Sequence, residues 1–149
     1  MRTNNLPPPV PEAPDPVRGG PGSVAEGLTT RRLAGHTVIA LHGDLDIATA
    51  PDVRERLIAA LRRATAPVII DLSGVTFCDA NGLALLIAAR RRARHDGLGL
   101  VLAAPRPPMV KLLRITGLHR AFTVHPTLAE ARRHRKPATR PATSPTAIG

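Results

Sequence analysis

The residues of this sequence whose side chains could carry chemistry are few and scattered. The only cysteine, Cys78, follows the apolar Phe77, so we expect a small buried side chain rather than a nucleophile. Neither a Walker-type nor a dinucleotide-binding glycine pattern is present. The histidines lack metal-ligand spacing; they are His36, His42, His95, His119, His125 and His134. We therefore expect no enzymatic activity, no metal site and no cofactor.

Two pairs of carboxylates lie near each other in the sequence: Asp44 with Asp46, and Asp71 with Asp79. Two carboxylates can act as general acid and general base only when their environments separate their pKa values. Sequence spacing alone does not provide that separation. The pairs therefore do not predict catalysis, and their interest depends on the elements that position them.

Alternating apolar patterns predict those elements. Short apolar runs predict strands; they lie at 37–41, 67–72, 98–103 and 121–124. Between and after them lie helical patterns at 50–64, 80–95, 108–115 and 127–135, with Thr49 and Thr127 as candidate N-caps. Strands that alternate with helices need crossover connections, which predicts an α/β domain with a largely parallel sheet covered by helices.

Proline and glycine accumulate at both ends of the chain. Residues 1–27 and 136–149 have compositions that cannot bury enough apolar surface to offset their ordering entropy, and we expect both to be disordered. They frame one domain at 28–135. No apolar run is long enough to span a membrane, and a lone cysteine suits a reducing compartment. We expect a cytoplasmic protein without membrane insertion.

The net charge of +10 is unevenly distributed along the chain. About half of it lies in residues 131–149, which hold five basic residues and no acidic one. The sequence has no Trp or Tyr, and both phenylalanines fall in strand-like runs, so side chains on which bases could stack are missing. We expect no specific nucleic-acid partner, and only weak electrostatic attraction through the tail.

One stretch, VIIDLSGVTFCDANGLALL at 68–86, resembles the STAS domain family, whose pattern is an apolar run, D-L-S-x-V and then D-[ST]-[ST]-G-L. Residues 43–46 are similar to the family's G-E-L-D segment, and 113–118 to its L-x-x-x-G-L segment. The resemblance covers about 28–133. It implies a sheet of four or five strands with helices packed mainly on one side.

The resemblance also implies a role. Stand-alone members of the anti-sigma factor antagonist type bind an anti-sigma factor that is a serine kinase, and so free a sigma factor for transcription. The kinase reverses this partner switching by phosphorylating the first Ser or Thr after the motif's Asp. Here that position is Ala80, and the next residue, Asn81, also lacks a hydroxyl. We therefore expect a module without the usual switch.

We expect this module to bind its partner through one surface and to exist as a monomer or weak dimer. Asp79 would cap the helix, while free N–H groups of its first turn would still favour an anion. The residues expected at the surface are Asp79, Ala80, Asn81, Gly82, Asp44, Asp46 and Ser73.

Other interpretations remain open. Asp79 could be only a helix cap and Gly82 only a packing glycine. Ser73 or Thr76 could serve as a displaced phosphoacceptor. The chain could also be a non-switching STAS subunit of a larger assembly, such as a stress-sensing complex or a lipid transporter.

Overall fold

The computed structural model of the chain describes residues 23–25 and 27–133. The strands within this part are β1 (Ser23–Ala25), β2 (Leu28–Leu33), β3 (His36–Leu45), β4 (Val68–Cys78), β5 (Leu100–Ala103) and β6 (Val124–His125). The helices are α1 (Ala50–Arg63), α2 (Ala80–His95), α3 (Pro107–Ile115) and α4 (Leu128–Arg133), with a 3-10 turn at Leu118–Arg120.

The strands form one sheet in the order β1 to β6. β1, β2 and β3 are antiparallel neighbours, whereas β3, β4, β5 and β6 are parallel. The predicted α/β class with a mostly parallel sheet is confirmed, although the described sheet has six strands rather than four or five.

Neither β1 nor β2 is among the strands predicted from the sequence, and β1 falls within the segment 1–27 that the sequence predicts to be disordered. It pairs with β2 from Ser23 opposite Thr30 to Ala25 opposite Leu28. The domain therefore begins earlier than residue 28. The predictions for 1–22 and for the tail at 136–149 lie outside the described residues.

The core lies mainly on one face of the sheet. Helices α1, α2 and α3 cover that face, and α4 packs on the other. Neighbouring residues of one strand therefore point to opposite faces of the sheet. Ile39 and Ile70 face the main core under α1, α2 and α3, whereas Val38 and Ile69 face α4. Because both faces are covered, the central strands are continuously apolar. Packing of helices mainly on one side is confirmed.

The strand boundaries differ from the sequence prediction: the strand expected at 37–41 continues to Leu45, and that expected at 98–103 begins at Leu100. The strand expected at 67–72 continues to Cys78, so Ser73 lies inside β4 rather than in a closing turn. The strand expected at 121–124 is replaced by the two-residue β6, because the N–H groups of Ala121 and Phe122 donate to the Leu118 carbonyl and close the preceding turn.

Adjacent parallel strands bring β3 and β4 to the same end of the sheet, which we call the carboxyl edge. Gly43 lies opposite Val75 and Asp44 opposite Phe77, so Thr76 is an extra residue in β4. Such a bulge redirects the side chains that follow it. Both Thr76 and Phe77 are consequently exposed at the carboxyl edge.

Candidate functional site

The turn at the start of α2 is organised by Asp79. Its Oδ1 accepts hydrogen bonds from the backbone N–H groups of Asn81, at 2.8 Å, and Gly82, at 3.4 Å. Its own N–H donates to the Leu45 carbonyl at 3.1 Å, which ties the turn to the end of β3. The expected helix cap is thus observed, an interaction typically worth about 1 kcal/mol.

The same geometry leaves fewer free N–H groups for an anion at the helix start than expected. Asp79 engages the N–H groups of Asn81 and Gly82, and its carbonyl accepts from the Leu83 N–H at 3.0 Å. A second anion would have to displace a carboxylate that already fills this position. Among the described residues, the first turn therefore keeps one N–H group without an acceptor, that of Ala80.

Gly82 is buried against the end of β3. A Cβ at this position would lie 2.6 Å from the Cys78 Sγ and 2.8 Å from the Leu45 carbonyl oxygen. Only glycine allows α2 to begin this close to the sheet. Gly82 therefore has a packing role and holds in place its exposed neighbours, Ala80 and Asn81.

A second turn, between β3 and α1, lies beside the first. The Asp46 Oδ1 accepts from the N–H groups of Ala48, at 3.0 Å, and Thr49, at 3.1 Å. The Thr49 hydroxyl donates to the Asp44 carbonyl at 2.7 Å, and Thr49 makes no side-chain cap bond to α1. Thr49 thus occupies the expected N-cap position of α1 without a side-chain cap bond, and the Asp46 carboxylate orders this turn instead.

Asp44 connects the two strands at this edge. Its Oδ1 accepts a hydrogen bond from the Thr76 hydroxyl at 2.9 Å. Together with the Asp79–Leu45 bond, this contact brings Asp44, Asp46 and the segment 79–82 to one surface. Six of the seven residues expected at the site are thus neighbours at the carboxyl edge.

Ser73 is the exception. It lies six residues before Asp79 in β4, roughly 20 Å away along an extended strand. Its N–H donates to the Asp71 Oδ1 at 2.9 Å, and its carbonyl accepts from the Arg106 Nε at 2.8 Å. The Ser73 side chain is exposed, but it stands apart from the Asp79 turn.

Two apolar residues at this edge were missed by the sequence analysis. Ile47 is 74% exposed and Phe77 is 53% exposed. The sequence places Phe77 in an apolar, strand-like run, and no sequence signal marks the bulge at Thr76 that turns its side chain outward. A groove of about 320 Å³ separates Phe77 and Cys78 from Pro108 and Met109 at the start of α3.

Cys78 is half-buried beneath this surface. Burial, and secondarily the Asp79 carboxylate, raise the pKa of its thiol to about 11. The thiol is therefore protonated near neutral pH and is a poor nucleophile.

In the described part of the chain, no three His, Cys, Asp or Glu side chains are arranged to hold a metal ion. The helices of this part are all too short or too polar to cross a membrane.

Comparisons with known proteins agree with this geometry. The family model described as "Mlab, STAS domain" matches residues 28–129. An anti-sigma F factor antagonist of Lysinibacillus sphaericus is 32% identical over 82 residues, covering 54% of this chain and 70% of that protein.

Solved structures show the same fold. An anti-sigma factor antagonist from Mycobacterium paratuberculosis superposes with a TM-score of 0.63 at 27% identity, covering 71% of this chain and 90% of that one. An anti-sigma-factor antagonist (STAS) domain protein from Planctomyces limnophilus gives a TM-score of 0.62 at 24% identity, covering 70% and 93%. This chain belongs to the STAS domain family.

Proposed function

We propose that this chain is a non-enzymatic regulator that binds an anti-sigma factor of the serine-kinase type at the carboxyl edge, and that the binding is not switched by phosphorylation. The observation that carries the proposal is the exposed Ala80 at the Asp79-capped start of α2. It occupies the position at which the family resemblance implies a phosphoacceptor. The relatives named anti-sigma factor antagonists support the choice of partner.

The surface has the composition of a protein-binding patch. Exposed apolar side chains at Ile47 and Phe77 flank the polar residues Asp44 and Asp79. Burial of the exposed half of Phe77 by a partner would contribute about 1 kcal/mol. Aromatic anchors beside polar groups are typical of the residues that dominate binding energy.

The absence of a switch follows from the chemistry of residues 80 and 81. Phosphoryl transfer needs an oxygen nucleophile, which neither a methyl group nor a carboxamide supplies. A phosphate at position 80 would add a charge of about −2 beside the Asp79 carboxylate, where the N–H groups of Asn81 and Gly82 are already engaged. With alanine there, position 80 stays uncharged, and the surface keeps its unphosphorylated, binding-competent form.

The test uses the full chain, the serine-kinase-type anti-sigma factor encoded nearest its gene, and Mg-ATP. Intact-mass spectrometry should find no added phosphate on the wild type and one on Ala80→Ser. Calorimetry should then show that phosphorylated Ala80→Ser has lost affinity for the anti-sigma factor. Ala80→Glu should weaken binding at least about tenfold, through an unpaired charge at the contact. Ala129→Glu is the matched control, because Ala129 is also exposed in a helix's first turn but lies on α4, across the sheet.

Two results would contradict the proposal. Unchanged affinity for both Ala80→Glu and Phe77→Ala would show that the carboxyl edge is not the interface. Phosphate on Ser73 or Thr76 of the wild type, with loss of binding, would show that a switch survives at a displaced acceptor.

A further inference from the structure

The end of the sheet opposite the proposed anti-sigma contact is strongly basic. This amino edge is where the parallel strands begin, at Thr37 of β3 and Val68 of β4. Helices α1 and α2 connect parallel neighbouring strands and run back along the sheet, so both end at this edge. β2 is antiparallel to β3, and its pairing of Arg32 with Thr37 brings its end there too.

β2, α1 and α2 all carry exposed arginines at or near their C-terminal ends. We call the set the arginine edge; its members are Arg31, Arg32, Arg62, Arg63, Arg91 and Arg94. None of their side chains has a hydrogen-bond or ion-pair partner among residues 27–133. The nearby carboxylate of Asp96 is already engaged by Arg92 at 3.0 Å and by His95 at 3.2 Å.

The negative ends of the helix dipoles offset only part of this positive charge. Each helix C-terminus carries about half a negative charge, so α1 and α2 together account for about one unit. Four of the six arginines lie in the last two turns of these helices, whereas the two in β2 belong to a strand, which has no helix dipole of its own. Clustered like charges also repel one another within the Debye length of about 8 Å at physiological salt. An anionic partner would remove that repulsion.

We propose that the arginine edge binds the phosphate backbone of double-stranded DNA without sequence selectivity. A duplex carries one negative charge per about 1.7 Å of axis, and the guanidinium fork matches a phosphate group in two hydrogen bonds. The elements that carry the arginine edge, β2, α1 and α2, have no exposed large apolar side chain. Of the exposed large apolar side chains among the described residues, only Ile115, at the end of α3, lies toward this end of the sheet. A single such side chain buries too little apolar area to hold the domain on a bilayer, which favours DNA over an anionic membrane.

This inference is independent of the proposed anti-sigma function and adds a site to the folded domain, separate from the basic tail. Arg31 pairs with Val38 and so points to the face covered by α4, away from the helices that carry four of the other arginines. Five phosphate contacts by the remaining arginines would give log K a slope against log salt of about −4.5. Contacts through the tail would add to that slope equally in every full-length variant, so differences between variants isolate the arginine edge.

The test measures fluorescence anisotropy of a labelled 30-base-pair duplex of arbitrary sequence with the full chain, over a KCl series. Arg91→Gln/Arg94→Gln should reduce the magnitude of the slope by about 2, since each lost contact removes about 0.9. Adding Arg62→Gln/Arg63→Gln should reduce it by about 4 in total. The matched control, Arg54→Gln/Lys111→Gln, removes the same charge from exposed helical positions away from this edge and should leave the slope within about 0.5 of wild type.

Thermal unfolding within a few degrees of wild type establishes that each variant is folded, and a variant that is not is replaced by its single substitutions. Equal slopes for the edge and control variants would overturn the proposal in favour of net charge or the tail. A sedimentation arm with phosphatidylglycerol-containing vesicles provides the other decisive outcome. Loss of vesicle binding by the edge variant, with DNA binding unchanged, would overturn the proposal in favour of a membrane surface.

Discussion

The sharpest prediction concerns the contact between α2 and the end of β3. In Gly82→Ala, the new methyl group would lie 2.6 Å from the Cys78 Sγ, 2.7 Å from the Leu45 Cβ and 2.8 Å from the Leu45 carbonyl oxygen. Two of these three atoms cannot move without shifting β3. Overpacking of this kind costs up to about 3 kcal/mol, whereas replacing a helical glycine with alanine returns about 1 kcal/mol.

The expected net loss is therefore about 2 kcal/mol, which in a domain of about 100 residues lowers Tm by roughly 10 °C. Circular dichroism melting, with urea unfolding at fixed temperature, measures it. Gly99→Ala is the matched control: its nearest neighbour would be the Pro67 Cβ at 3.9 Å, an ordinary contact. A Gly82→Ala protein as stable as wild type would refute the close approach of α2 to β3.

Three further predictions test single groups. The folded-state pKa of Cys78, about 11, exceeds its ordinary value of 9.0, so its contribution to stability is complete below pH 9 and is lost as the pH rises through 11; urea midpoints of wild type and Cys78→Ala across this range should converge. Asp79→Ala should lower the free energy of unfolding by about 1 kcal/mol through loss of the α2 cap, as followed by urea unfolding. Thr127→Ala should cost a similar amount, about 1 kcal/mol, because the Glu130 N–H donates to the Thr127 hydroxyl at 3.0 Å; hydrogen exchange of α4 amides should accelerate, and unchanged exchange would contradict this cap.

The sequence was sufficient for the α/β class because the strong signals are local. Uninterrupted apolar runs such as 67–72 mark strands covered on both faces, and the arginines after Ala89 mark the exposed end of α2. The cap at Asp79 was predictable for the same reason, since a residue capping a helix bonds to N–H groups two and three positions ahead.

What the sequence could not predict depends on pairing between distant segments. Whether Ser73 ends a strand depends on how far β3 runs beside β4, and the bulge at Thr76 exists only in the register of those two strands. That register turns Phe77 outward, a result that apolar character alone would not suggest. By residue type, either the Thr49 hydroxyl or the Asp46 carboxylate could accept hydrogen bonds from the N–H groups of this turn. In the structure the Asp46 carboxylate accepts them, because the Thr49 hydroxyl donates to the Asp44 carbonyl.

The two proposed surfaces lie at opposite ends of the parallel strands. Asp44, Asp46 and Asp79 stand at the carboxyl edge, and the arginine edge lies beyond the opposite end of β4, a strand of 11 residues that spans roughly 30 Å. That separation is several Debye lengths at physiological salt, about 8 Å each, so the charges of one edge barely affect the other. Substitutions so far apart should also contribute additively. An Ala80→Glu change should therefore leave the salt dependence of DNA binding intact, and loss of the arginines should leave anti-sigma binding intact. If each change instead altered both activities, the two surfaces would have to communicate through the sheet itself rather than through charge.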